Sequence, residues 1–146
     1  MKVLLTGSSG LVASGLGPLL AAAGHEWVPL VRGAEVPGTV SWEPERGRID
    51  ARALEGLDAV VHLGAESLAG RRWDRAKKDR ILRSRSEGTR LLAETLARLE
   101  RRPRVLVSAS AVGIYGDRGD ELLDETSPRG TGFLAGVCAA WEDAAE

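Results

Sequence analysis

Val3-Leu4-Leu5-Thr6-Gly7-Ser8-Ser9-Gly10-Leu11-Val12-Ala13 is the stretch on which the reading of the fold turns. Val3 to Thr6 is a short apolar run, the pattern of a strand buried on both faces. Gly7-Ser8-Ser9-Gly10 breaks that run as a turn. Leu11 to Ala23 follows with helix-forming composition and stops at Gly24, a position suited to a left-handed cap. Pro18 lies inside this helix and is expected to bend it or remove one hydrogen bond. Glu26 to Val31 is a second strand, so the chain opens on strand, helix, strand.

The alternation continues outward. Gly33 to Gly38 reads as a loop punctuated by Pro37. Thr39-Val40-Ser41-Trp42 reads as a short third strand, Ile49 to Gly56 as one or two helical turns, and Ala59 to Leu63 as a fourth strand. A long helix is expected from about Asp74 to Glu100, with Ile81, Leu82, Leu91, Leu92, Leu96 and Leu99 as its apolar stripe. Arg104 to Ser108 is a fifth strand, Gly116 to Gly130 an irregular acidic loop, and Gly132 to Glu146 the opening of another helix. Strands joined by crossovers of this length pair in parallel with right-handed connections. The expected fold is α/β, a Rossmann-type doubly wound parallel sheet with strand order 3-2-1-4-5. Ligands of such sheets lie at the carboxyl ends of the strands where the order reverses. Here that point falls between Thr6 and Leu63.

Composition narrows the classes. The 146 residues carry 20 Lys and Arg against 21 Asp and Glu, a net charge of -1. That balance argues against a chain built to coat nucleic acid or an anionic membrane. The Arg-rich stretch Arg71 to Arg85 reads as a solvated helix face with acids interspersed, the alternative being a nucleic-acid patch. The single cysteine excludes an intrachain disulfide and a multi-cysteine metal site, and points to a reducing, cytoplasmic location. No apolar run approaches a membrane span, and the start carries no signal peptide pattern. There is no Asn and no Gln, and Arg outnumbers Lys 17 to 3. Both a heat-adapted source and a GC-rich genome favour such usage.

The turn carries chemistry. Gly7 allows the tight bend, and Gly10 lets backbone N–H groups approach a pyrophosphate at the positive end of the helix opened by Leu11. Ala13 is an allowed residue at the third position of the fingerprint, where helix and strand pack closely. A dinucleotide cofactor is therefore expected, against the alternative of an ordinary Gly-rich turn. A free ribose 2′-hydroxyl is usually held by an acid about 20 residues on, at the end of the second strand. This chain has Val31-Arg32-Gly33 there. An Arg suits a 2′-phosphate, which favours NADP over NAD, unless Arg32 is a surface residue placed there by chance.

These residues also carry a resemblance. Thr6 to Ala13 resembles the TGxxGxxG/A turn of extended short-chain dehydrogenases/reductases, the NAD-dependent epimerase/dehydratase group that contains nucleotide-sugar epimerases. Leu63-Gly64-Ala65-Glu66-Ser67-Leu68-Ala69-Gly70-Arg71-Arg72-Trp73 is similar to the LAGExxxxxRW signature of an atypical, sugar-nucleotide-epimerase-like branch. Gly64-Ala65 stands where that branch has Ala-Gly. Ser84-Arg85-Ser86-Glu87-Gly88-Thr89 is similar to its SRxxGT helix segment, and Ser108 to Asp117 to its SxSAxGxYGD loop. The motifs run in order over essentially the whole chain.

The resemblance implies that residues 1–146 form an NADP-binding domain. Gly7, Ser9, Gly10, Leu11 and Val12 would form the pyrophosphate turn. Val31 and Arg32 would flank the adenosine ribose, and Leu63, Gly64 and Ala65 would line the cofactor. Glu66 would sit near the nicotinamide-side ribose or the substrate mouth, and Arg85 would contact the cofactor. Ser110 would be the catalytic serine, with Ser108 a second candidate. Plainer readings stand beside these: Glu66 as a helix-start acid, Arg85 paired with an acid of its own helix, Trp42 and Trp73 as packing, and His62 as a satisfied core histidine.

Hydride-transferring members usually pair that serine with a Tyr-x-x-x-Lys on the next helix. Here that helix has Phe133 and Val137 at the two positions, and neither transfers a proton. Cys138 reads as inert core. Two functional expectations follow. One is an NADP(H)-dependent epimerase-like or oxidoreductase protein acting on a carbonyl compound or sugar nucleotide with altered proton donors. The other is a non-catalytic NADP-binding sensor or scaffold. The relatives carry a substrate region beyond a domain of this kind, so this chain is expected to be a truncated form. An open sheet edge would then favour pairing into a homo-oligomer.

Overall fold

The computed structural model describes residues 1–33, 36–70 and 72–146. The expected loop from Gly33 to Gly38 therefore lies partly, and Arg71 wholly, outside the described residues. The chain folds as β1 (Lys2–Thr6), α1 (Leu11–Ala22), β2 (Glu26–Arg32), β3 (Val40–Glu43), β4 (Arg48–Ile49), β5 (Ala59–His62), α2 (Arg75–Ala97), β6 (Val105–Ser108) and α3 (Phe133–Glu142), with three short 3₁₀ turns. The six strands form one sheet in the order β4-β3-β2-β1-β5-β6. Five of them pair in parallel, with Thr6 beside both Leu30 and His62, and His62 beside Ser108.

The expected order 3-2-1-4-5 is present within this sheet as β3-β2-β1-β5-β6, with one correction. An additional strand, β4, pairs antiparallel on the outer edge, placing Trp42 opposite Ile49 and Glu43 opposite Arg48. Ile49 thus belongs to a strand and not to a helical turn. The only helical turn there is a 3₁₀ piece, Arg52–Leu54. Gly47, at φ +63, reverses the chain between β3 and β4. A two-residue strand is too short to show the alternation by which strands are recognised.

β1 is buried from Val3 to Thr6, as its apolar run requires. α1 continues through Pro18 and ends in a Schellman arrangement: Gly24 N–H bonds Ala21 O, and His25 N–H bonds Leu20 O. Gly17 of this helix faces Trp27 of β2, and a Cβ there would lie 2.8 Å from the indole. The main core lies between the sheet and α2. Leu4, Leu30, Val40, Trp42 and Val60 meet Leu54, Leu57, Leu92, Leu96 and Leu99 there. Each such leucine, fully buried, contributes about 1.5–3 kcal/mol.

Asp74 caps α2 by accepting the Lys77 N–H at 2.7 Å. The buried positions of α2 are Ile81, Arg85, Gly88, Thr89, Leu92 and Leu96. Their spacing of three and four residues is the expected helical stripe, but Leu82 and Leu91 sit at its margin and two of its members are polar. Those two, Arg85 and Thr89, point toward the carboxyl end of β5.

Candidate functional site

The site is built where β1, β2, β5 and β6 end. Gly7 follows β1 with φ +66, and a Cβ on it would lie 2.9 Å from the Leu63 carbonyl carbon and oxygen. Only glycine fits, for both its conformation and its clearance. Gly10 N–H donates to Gly7 O at 2.8 Å and closes the turn. Gly10 is also the N-cap of α1 and supplies no side-chain acceptor, so the first amides of α1 keep their donors. Ser9, Leu11 and Val12 are exposed along this mouth, while Ala13 is buried beneath it. Small residues at 7 and 10, with free amides behind, make a cradle for an anionic group.

Across the turn, Thr6 Oγ1 accepts the N–H groups of Leu63 (3.0 Å) and Gly64 (2.8 Å) and lies 2.7 Å from His62 Nδ1. A Cβ on Gly64 would come within 3.0 Å of that oxygen. Ala65, next along, is half-buried. His62 Nε2 lies 2.9 Å from Thr89 Oγ1. The histidine is wholly buried, and burial lowers its pKa to about 4. It is the satisfied core histidine expected from the sequence.

At the end of β2, Val31 is half-buried and Arg32 exposed. Arg32 lies near enough to Glu66 to act on its carboxylate. The Lys77 ammonium, bonded to Glu66 at 2.7 Å, holds that carboxyl below its ordinary range. Arg80, at 3.7 Å, and Arg32 add to the effect, and partial desolvation opposes it. Glu66 is not a helix-start acid: it precedes the α2 cap and is surrounded by three cations. Arg85 makes no ion pair among the described residues, which corrects the reading that it pairs within its own helix. Its Nη1 donates to the carbonyls of Glu66 (3.1 Å) and Ile81 (3.2 Å), and the guanidinium stacks over Trp141 at 5.0 Å. Burial lowers its pKa, with Cys138 and Glu66 opposing.

Ser108 ends β6 opposite His62, and Ser110 follows in the loop, exposed. The Ser110 hydroxyl donates to Glu142 Oε1 at 2.5 Å, and Arg129 pairs with both Glu142 and Asp143. At the two positions of the expected Tyr-x-x-x-Lys pair, Phe133 packs edge-on to Trp73 under the Lys78 ammonium, and Val137 is buried. The Cys138 thiol is pushed up by burial. The participation of Thr6, Thr89, Lys77, Trp141 and Glu142 is not visible in local sequence, because each acts across a long stretch of chain. Among the described residues, no three His, Cys, Asp or Glu side chains gather as a metal site, and no helix is long and apolar enough to cross a membrane. A groove of about 470 Å³ between the ends of α2 and α3 and the start of β6 lies at the opposite end of the strands.

On the exposed side of α2, Arg83 pairs with Asp79 and Glu87, and Arg98, at the helix C-cap, pairs with Glu94. Comparison with known proteins adds the ancestry. An epimerase family protein of Mycobacterium bovis, Mb2239, is 41% identical over 143 residues, covering 97% of this chain and 47% of the relative. The chain thus spans about half the length of the curated relatives it matches. The crystal structure of a nucleoside-diphosphate sugar epimerase from Corynebacterium glutamicum superposes with a TM-score of 0.85 at 41% identity, over 99% of this chain and 30% of that one. The human epimerase family protein SDR39U1, crystallised with NADPH, superposes with a TM-score of 0.88 at 30% identity, over 100% of this chain and 49% of that one. The family model for the NAD dependent epimerase/dehydratase family matches residues 3–132. With its fold, its turn and these matches in agreement, the chain belongs to the NAD dependent epimerase/dehydratase family.

Proposed function

We propose that residues 1–146 form an NADP(H)-binding domain of an epimerase-like or oxidoreductase protein whose substrate is a small molecule, a carbonyl compound or sugar nucleotide. The observation that carries this reading is the contact at Gly7, where turn and β5 end meet with no room for a Cβ, beside α1 amides that no side chain caps. That cradle fits a pyrophosphate. Gly7, Ser9, Gly10, Leu11 and Val12 hold the pyrophosphate, and Val31 and Arg32 the adenosine ribose. Leu63, Gly64, Ala65, Glu66, Arg85 and Ser108 line the remainder. When bound, the cofactor supplies or accepts a hydride. Ser110, whose proton is directed at Glu142, accepts from a substrate hydroxyl in this reading, and has to turn that proton away from Glu142 to hold a carbonyl oxygen.

NADP(H), as distinct from NAD(H), is favoured by Arg32 and by the NADPH in the human relative's structure. Lys77 and Arg80 pair with Glu66, and Arg32 acts on the same carboxylate, so among these groups three cations face one acid, which suits a 2′-phosphate. A second reading, a non-catalytic NADP(H)-binding module, is favoured by Phe133 and Val137. The single, buried thiol of Cys138 suits the reducing cytoplasm.

Titration with NADPH and NADH tests the reading. NADPH is expected to bind more tightly. Arg32→Ala should weaken NADPH about tenfold or more, since a charge-assisted hydrogen bond contributes about 1.5–3 kcal/mol. NADH binding should be nearly unchanged. Equal affinities for the two cofactors in the unmutated chain would remove the Arg32 argument.

A further inference from the structure

Thr6, His62 and Thr89 come from β1, β5 and α2, and all three are wholly buried behind the cleft. Their proton arrangement follows from valence. A hydroxyl has one proton and two lone pairs. Both lone pairs of Thr6 Oγ1 are occupied by the Leu63 and Gly64 N–H groups. Its one proton is therefore directed at His62 Nδ1, which must accept. The ring proton then sits on Nε2 and is donated to Thr89 Oγ1. The relay runs one way, from Thr6 through a neutral His62 to Thr89, and Trp42 meets the ring edge-on at 6.2 Å.

We infer that His62 is a positioning residue for the cofactor cleft: by accepting the Thr6 proton it keeps both Thr6 lone pairs on the Leu63 and Gly64 amides and so fixes the β5 end against the phosphate turn. The walls have no slack. The Leu63 carbonyl lies 2.9 Å from where a Gly7 Cβ would be, and a Gly64 Cβ would stand 3.3 Å from the Gly7 nitrogen. With the opposite tautomer, Nδ1 would donate to Thr6, one of the two amides would lose its acceptor, and the Leu63–Gly64 segment would move relative to Gly7. The α2 residue Thr89 therefore acts on the cleft through His62, without reaching it. This inference rests on the NADP(H) reading above.

The test joins one spectrum to two kinds of variant. Nitrogen–proton correlation spectra of the unmutated chain, which has only two histidines, should show His62 protonated on Nε2 alone at pH 7. His62→Leu leaves the Thr6 proton without an acceptor and should raise the Kd for NADPH about tenfold, the worth of one buried hydrogen bond. His62→Asn returns an acceptor at the Nδ1 position and should recover most of that affinity. Both variants lose the Thr89 bond and should melt lower, so affinity and stability separate. A merely structural histidine would instead lose affinity in step with melting temperature in both. Thr89→Val, which keeps the ring, leaves the Nε2 proton without an acceptor and so works against the tautomer that Thr6 requires; it should weaken NADPH and serves if His62→Leu does not fold. Nδ1 protonation in a chain that binds NADPH, or equal Kd values for His62→Leu and His62→Asn, would overturn the role alone. A correctly protonated His62 in a chain that binds no NADPH would overturn the cofactor reading and the role with it.

Discussion

Gly7 and Gly10 lie in one turn, and the structure predicts opposite outcomes when each gains a methyl group. Gly7→Ala forces a left-handed φ of +66 on a residue with a Cβ and drives that atom to 2.9 Å from the Leu63 carbonyl. The conformation costs about 1–2 kcal/mol. The overlap costs about 1–3 kcal/mol more, because the opposing atoms are backbone and cannot rotate away. The sum, about 2–5 kcal/mol, is a large part of the 5–15 kcal/mol typical of a folded chain. Gly10 has φ -82, and its Cβ would meet only Gly7 O, at 3.1 Å. Gly10→Ala should therefore change stability by no more than about 1 kcal/mol, yet place a methyl where, on the proposed function, a pyrophosphate approaches. Urea unfolding followed by circular dichroism measures the first effect, and NADPH titration of the folded variants the second. Gly10→Ala should lose tenfold or more in affinity, about 1.4 kcal/mol or more. A Gly7→Ala protein within about 1 kcal/mol of the parent, or a Gly10→Ala protein that binds NADPH normally, would refute the reasoning.

Two further predictions concern stability. His62 titrates near 6.5 when unfolded and about 4 when folded, so the unfolded chain binds more protons between those values. Stability should fall by about 3 kcal/mol as pH drops from 6.5 to 4 and His62→Asn should flatten that slope, as read from urea midpoints across pH. The contribution of Glu66, whose carboxyl is held low by Lys77, is lost only below about 4.5, so the two windows separate. Leu92→Ala removes a fully buried side chain facing the sheet and should cost about 2–5 kcal/mol in the same assay. A cost under 1 kcal/mol would mean that α2 is not packed as described.

What could be read from the chain alone is what neighbouring residues encode. The Val3–Thr6 run, the two turn glycines, Ala13 and the Arg at the end of the second strand act within one strand–turn–helix, and their spacing carries their meaning. The long amphipathic helix and the order of the parallel strands followed from periodicity and crossover length. β4 did not, because two residues have no period. Nor did the relay: Thr6 and His62 are 56 positions apart, and His62 and Thr89 are 27 apart. Each looks like an ordinary polar residue until β1 and β5 lie side by side and α2 covers them. Arg85 shows the same division. Its motif marked it as a site residue, but only packing revealed that it is buried on Trp141, with no carboxylate partner among the described residues. Local sequence thus determined the order of the parallel strands and the glycine turn after β1, since both depend on short-range geometry. The proton arrangement behind the cleft and the surroundings of Glu66, Arg85 and Ser110 were decided by the tertiary contacts, because hydrogen bonds and desolvation depend on distance in space and not along the chain.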